Sequence, residues 1–169
     1  QNTCCISCRE AFDCGFCSIK EFKHGWFGLP VSVIVDELEY LNKVFGIRGF
    51  VFDEANFFVN NKWIKQFCLE IMNRQLDIQW CAKTRVDWVC NASDDLLSLL
   101  WVAGCRRIPV GVESGSDEEL VRMNKRITVS MSRTAVNRLA QFGFSTGVPF
   151  LLGYPGSTLD DLRLSVDLM

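Results

Sequence analysis

Hydrophobic positions along the chain follow two alternating spacings. Apolar residues recur at the helical period in six stretches, at residues 31–46, 61–74, 93–104, 116–124, 130–143 and 157–169. Shorter, nearly continuous apolar runs precede them and predict buried strands at residues 3–7, 47–52, 77–84, 106–113 and 144–153. The resulting order of strand then helix, repeated five times, predicts an α/β fold with a parallel sheet and right-handed crossovers.

Single residues mark the ends of these elements. Gly46 and Gly104 each follow a helical stretch, and Ser93 precedes one with two acids directly after it, which is typical of a helix N-cap. Pro109 is unusual within a predicted strand because proline has no N–H for the ladder. The strands are apolar at successive positions, so we expect helices to cover both faces of the sheet.

Composition and charge narrow the class of protein. The chain has 169 residues, 49% of them hydrophobic and 22% charged, which is typical of a globular domain. We expect residues 1–169 to form one domain, cut from a longer protein. The net charge of −2 disfavours nucleic acid as a partner, and no apolar run approaches the roughly 18 residues of a membrane span. Nine cysteines are an odd number and too few for a disulfide scaffold, so a reducing, cytoplasmic location is expected.

Polar residues and glycines collect where the predicted strands end. In parallel α/β folds, the carboxyl edge of the sheet carries the functional residues. The residues concerned are Cys14 and Cys17, Asp53 and Glu54, Arg85 and Asp87, Glu113 and Ser114, and Gly153 and Gly156.

Cysteines cluster after the first predicted strand. Cys14-Gly-Phe-Cys17 is a CxxC pair, and Cys8 lies six residues earlier, close enough to be a third ligand. Thiolates suit iron–sulfur clusters or zinc. A four-thiolate zinc site that adds Cys5 and Cys8 is one alternative, although its spacing is short for zinc knuckles. A set of buried, inert cysteines is another.

Six motifs, in order, resemble those of radical S-adenosylmethionine enzymes, most closely the cobalamin-binding subgroup and its methylthiotransferase relatives. They are DCGFCSIKEF, RGFVFDEANFFVN, TRVD, AGCRRIPVGVESGS, MNKRIT and FLLGYPGST. The resemblance implies a partial (β/α)6, TIM-like barrel, of which this chain provides about five units. It also implies a four-iron, four-sulfur (4Fe-4S) cluster with one open iron, which binds S-adenosylmethionine and cleaves it reductively to a 5′-deoxyadenosyl radical.

The resemblance assigns Cys8, Cys14 and Cys17 to the cluster. It assigns a further set of residues to the cofactor: Phe16, Asp53, Glu54, Glu113, Ser114, Lys125, Leu152 and Gly153. Asp53 and Glu54, after the second strand, would contact the amino group of S-adenosylmethionine. Glu113 and Ser114, at the end of the fourth strand, would contact the ribose hydroxyls. Phe16 and the fifth-strand residues would contact adenine, and Lys125 the carboxylate. The alternative interpretation makes Phe16 a core residue, Asp53 and Glu54 loop or capping residues, and Lys125 part of a solvated face. Glu113 is the exception, because an acid at a buried strand end needs a partner.

The sequence departs from the family pattern at the first cysteine. The usual motif is CxxxCxxC, but Glu10 occupies the position four residues before Cys14, so Cys8 would replace the missing ligand. Ser157 also stands where the family often has glutamate. The alternatives are therefore a zinc-binding module and a catalytically silent barrel. For an active enzyme we expect a small-molecule substrate, an electron donor such as flavodoxin or ferredoxin, and cobalamin bound on another domain. Methyl transfer, methylthio transfer and cyclisation all remain open.

Overall fold

A computed structural model of the protein describes residues 14–18 and 28–169. Helices alternate with short strands along this part of the chain. The helices are α1 Val31–Phe45, α2 Asn61–Asn73, α3 Val86–Asn91, α4 Asp94–Val102, α5 Asp117–Arg122, α6 Val129–Gln141 and α7 Leu159–Leu168. The strands are β1 Gly49–Phe52, β2 Gln79–Ala82, β3 Thr84–Arg85, β4 Cys105–Arg107 and β5 Val110–Gly111.

The strands pair in parallel, as the alternation predicts. One sheet has the order β1-β2-β4, with Trp80 opposite both Phe50 and Cys105, and a second pairs β3 with β5. Residues 145–150 continue this arrangement through isolated parallel bridges from Ser145 to Arg107 and from Phe150 to Glu113. The parallel α/β architecture is thus confirmed, while the strand predicted at residues 3–7 lies outside the described residues.

The structure divides each of two predicted strands into two shorter strands. The run at 77–84 divides into β2 and β3 at Lys83, and the run at 106–113 divides into β4 and β5 around Pro109. Pro109 cannot donate to the ladder, but its carbonyl accepts a 2.9 Å bond from the Thr84 N–H. Residues 144–153 form only the two bridges. The helix α3 is missing from the sequence prediction because, unlike the equally short α5, it has no capping side chain at its start.

Caps predicted from the sequence are present at α4. The Ser93 hydroxyl accepts a hydrogen bond from the Leu96 N–H and so satisfies a donor of the first turn. Gly104 ends the segment with a φ of 92°, and a β-carbon there would lie 2.3 Å from the carbonyl oxygen of Ile78. Only glycine fits this turn, which brings the chain from α4 directly into β4.

Aromatic rings fill the space between α2 and the sheet. Phe52, Phe57 and Phe67 surround Trp80, with ring centroids 5.5–5.8 Å from that of the tryptophan. Trp80 is 2% exposed, and its indole N–H donates to the Ala103 carbonyl at 2.8 Å. Each such ring contributes about 1.5–3 kcal/mol through burial, so this cluster anchors the helices on the outer face of the sheet.

The inner face of the sheet is not buried at β1, and the expectation of strands covered on both faces is wrong there. Phe50 and Phe52 are half-buried on the outer face, whereas Val51 keeps 75% of its surface exposed. Successive strand residues point to opposite faces, so Val51 faces the side of the sheet opposite to Phe50 and Phe52, which we call the inner face. The described residues contain no helix of the length and apolar character that a bilayer crossing requires.

Candidate functional site

The Cys14–Cys17 pair lies in a tight turn at the carboxyl edge of the sheet. The Cys17 N–H donates to the Cys14 carbonyl at 3.1 Å, and the Gly15 N–H donates to the Met123 carbonyl at 2.8 Å. Cys14 is buried, Cys17 is half-buried, and both thiols are free of disulfide bonds. The turn therefore holds the two cysteines close together and fixes them to the segment after α5. The predicted third ligand, Cys8, lies outside the described residues.

The Tyr154 side chain approaches Gly15 closely within this turn. A β-carbon at Gly15 would lie 2.5 Å from the Tyr154 hydroxyl, well inside van der Waals contact. Tyr154 belongs to the loop after the fifth strand-like segment, so this loop packs directly on the cysteine turn. The sequence indicated a turn at residues 153–156 but not this contact.

Glu113 and Lys125 form an ion pair beside the cysteines. Lys125 Nζ lies 2.8 Å from Glu113 Oε1, and the two side chains are only 7% and 15% exposed. The same ammonium lies 5.5 Å from the centroid of the Phe16 ring, within the range of a cation–π contact. The interpretation of Lys125 as part of a solvated face is wrong, because its charge is directed inward onto a carboxylate.

The backbone at Glu113 adopts an unusual conformation. Its φ is 72°, a left-handed value that costs a non-glycine residue free energy and often marks a functional site. Backbone hydrogen bonds hold it on both sides, to the Pro149 carbonyl at 3.0 Å and from the Leu151 N–H at 2.8 Å. The conformation places the carboxylate over Gly111, where a β-carbon would lie 2.6 Å from Glu113 Oε1.

Arg85 joins the ion pair to the cysteine turn. Its Nε donates to Asp87 at 2.8 Å, and its Nη2 donates to the Lys125 carbonyl at 3.0 Å. Its Nη1 lies 3.8 Å from the sulfur of Cys14. The sequence placed Arg85 and Asp87 at a strand end without assigning them a role. The structure shows a buried guanidinium that contacts both the Cys14 sulfur and the segment carrying Lys125.

These side chains line a single cavity of about 230 Å³. Five of the residues assigned from the resemblance are found there: Cys14, Phe16, Cys17, Glu113 and Lys125. Arg85, Gly111 and Pro149 complete much of the wall. The cavity thus combines soft sulfur donors, an aromatic ring and a carboxylate–ammonium pair at the edge of a parallel sheet.

Asp53 and Glu54 lie at the side of this cavity. Asp53 is 87% exposed and forms a 2.6 Å ion pair with Lys83, whose hydrogen bond lowers the pKa of the carboxyl. It lines an adjoining cavity, and Glu54 is half-buried in the same loop. Neither carboxylate lines the cavity that contains the cysteines.

Ser114 points away from the site. It is wholly buried, and its hydroxyl donates to Glu119 at 2.6 Å. Ser157, where the family often has glutamate, donates to the other oxygen of the same carboxylate. Glu119 thereby connects the loop after Glu113 to the start of α7, a contact that no local sequence signal reveals.

Leu152 and Gly153 also lie apart from the cysteines. Leu152 is 58% exposed and lines a separate apolar cavity of about 650 Å³ with residues of α6 and α7. Gly153 has a φ of 77° and starts the turn that carries Tyr154 toward Gly15. Their assignment to adenine binding stays a prediction, as do those of Asp53, Glu54 and Ser114.

The donor set is compatible with an iron–sulfur cluster. No group of three or more histidine, cysteine or acidic side chains in the described segments could hold a metal ion, so Cys14 and Cys17 need a further ligand. Thiols in a glycine-containing turn suit iron–sulfur or zinc rather than magnesium or calcium. The fourth thiolate of a zinc site would have to come from Cys5, which is also outside the described residues.

A parallel α/β barrel with a thiol pair at the carboxyl edge of its sheet defines the class of protein. The chain belongs to the Radical SAM superfamily, whose family model matches residues 6–169. It is 30% identical over 156 residues to an uncharacterised methyltransferase of Pyrococcus horikoshii, covering 92% of this chain and 33% of that protein. It is 28% identical over 152 residues to the anaerobic magnesium-protoporphyrin IX monomethyl ester cyclase of Rubrivivax gelatinosus, covering 90% and 27%.

A solved structure shares the fold. The cobalamin-dependent S-adenosylmethionine radical enzyme OxsB, with aqua-cobalamin and S-adenosylmethionine bound, superimposes with a TM-score of 0.80. The sequence identity is 22%, over 92% of this chain and 24% of that one. The partial TIM-like barrel expected from the motifs is therefore confirmed. The chain spans only a quarter to a third of the length of these three proteins.

Proposed function

We propose that the chain is the core of an enzyme that binds a 4Fe-4S cluster through Cys8, Cys14 and Cys17 and binds S-adenosylmethionine at the open iron. The cluster supplies one electron that cleaves the cofactor to methionine and a 5′-deoxyadenosyl radical. One observation carries the proposal: in a chain of this superfamily, a single cavity holds Cys14, Cys17, Phe16, Glu113 and Lys125.

The residues of the cavity have distinct roles in this proposal. A carboxylate has about four acceptor positions, so Glu113 can accept ribose hydroxyls while it binds Lys125. Phe16 offers an aromatic face to adenine, and Lys125 offers its remaining donors to the cofactor carboxylate. Arg85 positions this arrangement because it contacts both Cys14 and the backbone of Lys125.

Relatives support the reaction class. The Pyrococcus protein is named a methyltransferase and the Rubrivivax protein a cyclase. We propose a transferase-type reaction on a small molecule, with a reduced flavodoxin or ferredoxin as electron donor. Cobalamin, bound in OxsB, is proposed as a second cofactor held outside the described residues.

Metal analysis after anaerobic reconstitution tests the proposal. We expect about four irons and four sulfides per chain, with a brown colour that is lost in Cys8→Ser and Cys17→Ser. Cys90→Ser is the matched control, because Cys90 is half-buried beside Met131 in the packing of α3 against α6, away from the cavity. Wild-type protein that remains colourless and free of iron would contradict the proposal.

Further variants separate the alternatives. A zinc module would bind about one zinc, and Cys5→Ser would harm it as much as Cys17→Ser. A silent barrel would bind iron only after Glu10→Cys. With iron bound, dithionite should release methionine and 5′-deoxyadenosine from S-adenosylmethionine, and Glu113→Gln should weaken cofactor binding.

A further inference from the structure

A second cavity adjoins the cysteine cavity on the inner face of the sheet. Its volume is about 410 Å³, within the usual range for small-molecule sites. Lys83, Pro109 and Pro149 line both cavities, so the two are neighbours. Much of its wall is apolar, from Val51, Val148 and Pro149.

Arg107, the last residue of β4, directs its side chain into this cavity. Gly147 lies opposite, and a β-carbon there would be 3.0 Å from Arg107 Nη2, so the missing side chain leaves room for the guanidinium. Among residues 14–18 and 28–169, no carboxylate forms an ion pair with Arg107. Lys83, the other cation of the cavity, is paired with Asp53. The lining therefore has two cations and one carboxylate.

Cys81 lies on the same wall of the cavity, near both cations. Burial raises the pKa of the Cys81 thiol, while the charges of Arg107 and Lys83 act in the opposite direction. The side chain is half-buried and lines the cavity, so reagents that enter the cavity can reach its sulfur.

We infer that this cavity binds the substrate, and that the substrate is an organic anion with an apolar body whose carboxylate or phosphate pairs with Arg107. The inference rests on the proposed function, because it places the substrate beside the cavity that would hold the cluster and its cofactor. Arginine suits either anion because its planar guanidinium forms two parallel hydrogen bonds with each.

Alkylation of Cys81 tests the charge of the cavity. Reconstituted full chain is treated with iodoacetate, which is anionic, or with iodoacetamide, which is neutral, and the rate at each cysteine is followed by peptide mass spectrometry. We expect the iodoacetate-to-iodoacetamide rate ratio at Cys81 to fall about three- to tenfold in Arg107→Gln. The ratio should stay at its wild-type value in Arg107→Lys, which keeps the charge. It should also stay there in Arg133→Gln, which removes an exposed arginine elsewhere. An unchanged ratio in folded Arg107→Gln would overturn the inference.

Protection by model anions tests the ligand class. Benzoate and phenyl phosphate should slow iodoacetamide labelling of Cys81 in the wild type but not in Arg107→Gln, and their relative effect distinguishes a carboxylate from a phosphate. Protection by neutral benzyl alcohol equal to that by both anions would also refute the inference. Labelling reports on the cavity whether or not iron binds, so it can fail or succeed independently of the proposed cluster.

Discussion

The Lys125–Glu113 ion pair allows a quantitative test of how the site is built. In Lys125→Met, the apolar stem is kept and the charge is lost, which leaves the Glu113 carboxylate without its 2.8 Å partner. The side chains are 7% and 15% exposed, so little water can replace the ammonium.

The expected loss follows from the burial of the pair. At 2.8 Å and an effective dielectric constant of about 20, the gross attraction is roughly 6 kcal/mol, much of it offset by desolvation. Removing one partner of a fully buried pair costs about 3–5 kcal/mol. Because this pair borders a cavity, we expect Lys125→Met to lower the free energy of unfolding by about 2–3 kcal/mol.

Urea denaturation of cofactor-free protein measures this change. The double variant Lys125→Met/Glu113→Gln should lose less than Lys125→Met alone, because it leaves no uncompensated charge. Lys43→Met is the matched control: Lys43 pairs with Glu39 on the exposed face of α1, and its loss should cost about 0.5 kcal/mol or less. A loss in Lys125→Met no larger than in Lys43→Met would refute the reasoning.

Three further predictions concern packing and ionisation. Gly115→Ala should lower the free energy of unfolding by at least about 3 kcal/mol in a thermal or urea melt, because its β-carbon would lie 2.2 Å from the Leu164 carbonyl oxygen; Gly49→Ala, with nothing within 4 Å, should not. The pKa of Asp161 is lowered, chiefly by a Ser116 hydrogen bond, so its stabilisation is present above pH 4 and lost as the pH falls. Urea melts of Asp161→Asn should therefore show a deficit at pH 7 that shrinks toward pH 3. Burial raises the pKa of Cys68 to about 12, so a thiol reagent at pH 8 should label it only after unfolding; rapid labelling of folded protein would contradict this.

The sequence predicted the elements that depend on local patterns. The apolar residues that give residues 61–74 their helical period, Ile64, Phe67, Cys68 and Ile71, are all buried in α2. Glycines and capping residues predicted most helix ends to within a few residues of their positions in the structure. The breaks at Lys83 and Pro109 were not predicted, because they depend on how neighbouring strands align rather than on local periodicity.

The site could be predicted only as residues at strand ends. That Glu113 pairs with Lys125 depends on left-handed φ values at Glu113 and at Asn124, just before the lysine, and neither follows from residue type. Ser114 was grouped with Glu113, yet it points the other way and bonds to Glu119. Arg85 contacts Cys14 across 71 positions of sequence, a distance that no spacing rule covers.

Because the strands are divided at Lys83 and Pro109, the two sheets can open separately and at different free energies. The sheet of β1, β2 and β4 is held by the aromatic cluster around Trp80. The two-residue pair of β3 and β5 is held by few backbone hydrogen bonds and by Arg85. The β3–β5 pair can then open while the three-stranded sheet stays closed. The amides of β3 and β5 therefore exchange at a lower free energy than those of β1, β2 and β4. A ligand bound at β3 and β5 would stabilise this pair first. Binding would therefore slow hydrogen exchange of their amides before it changes exchange in the rest of the barrel.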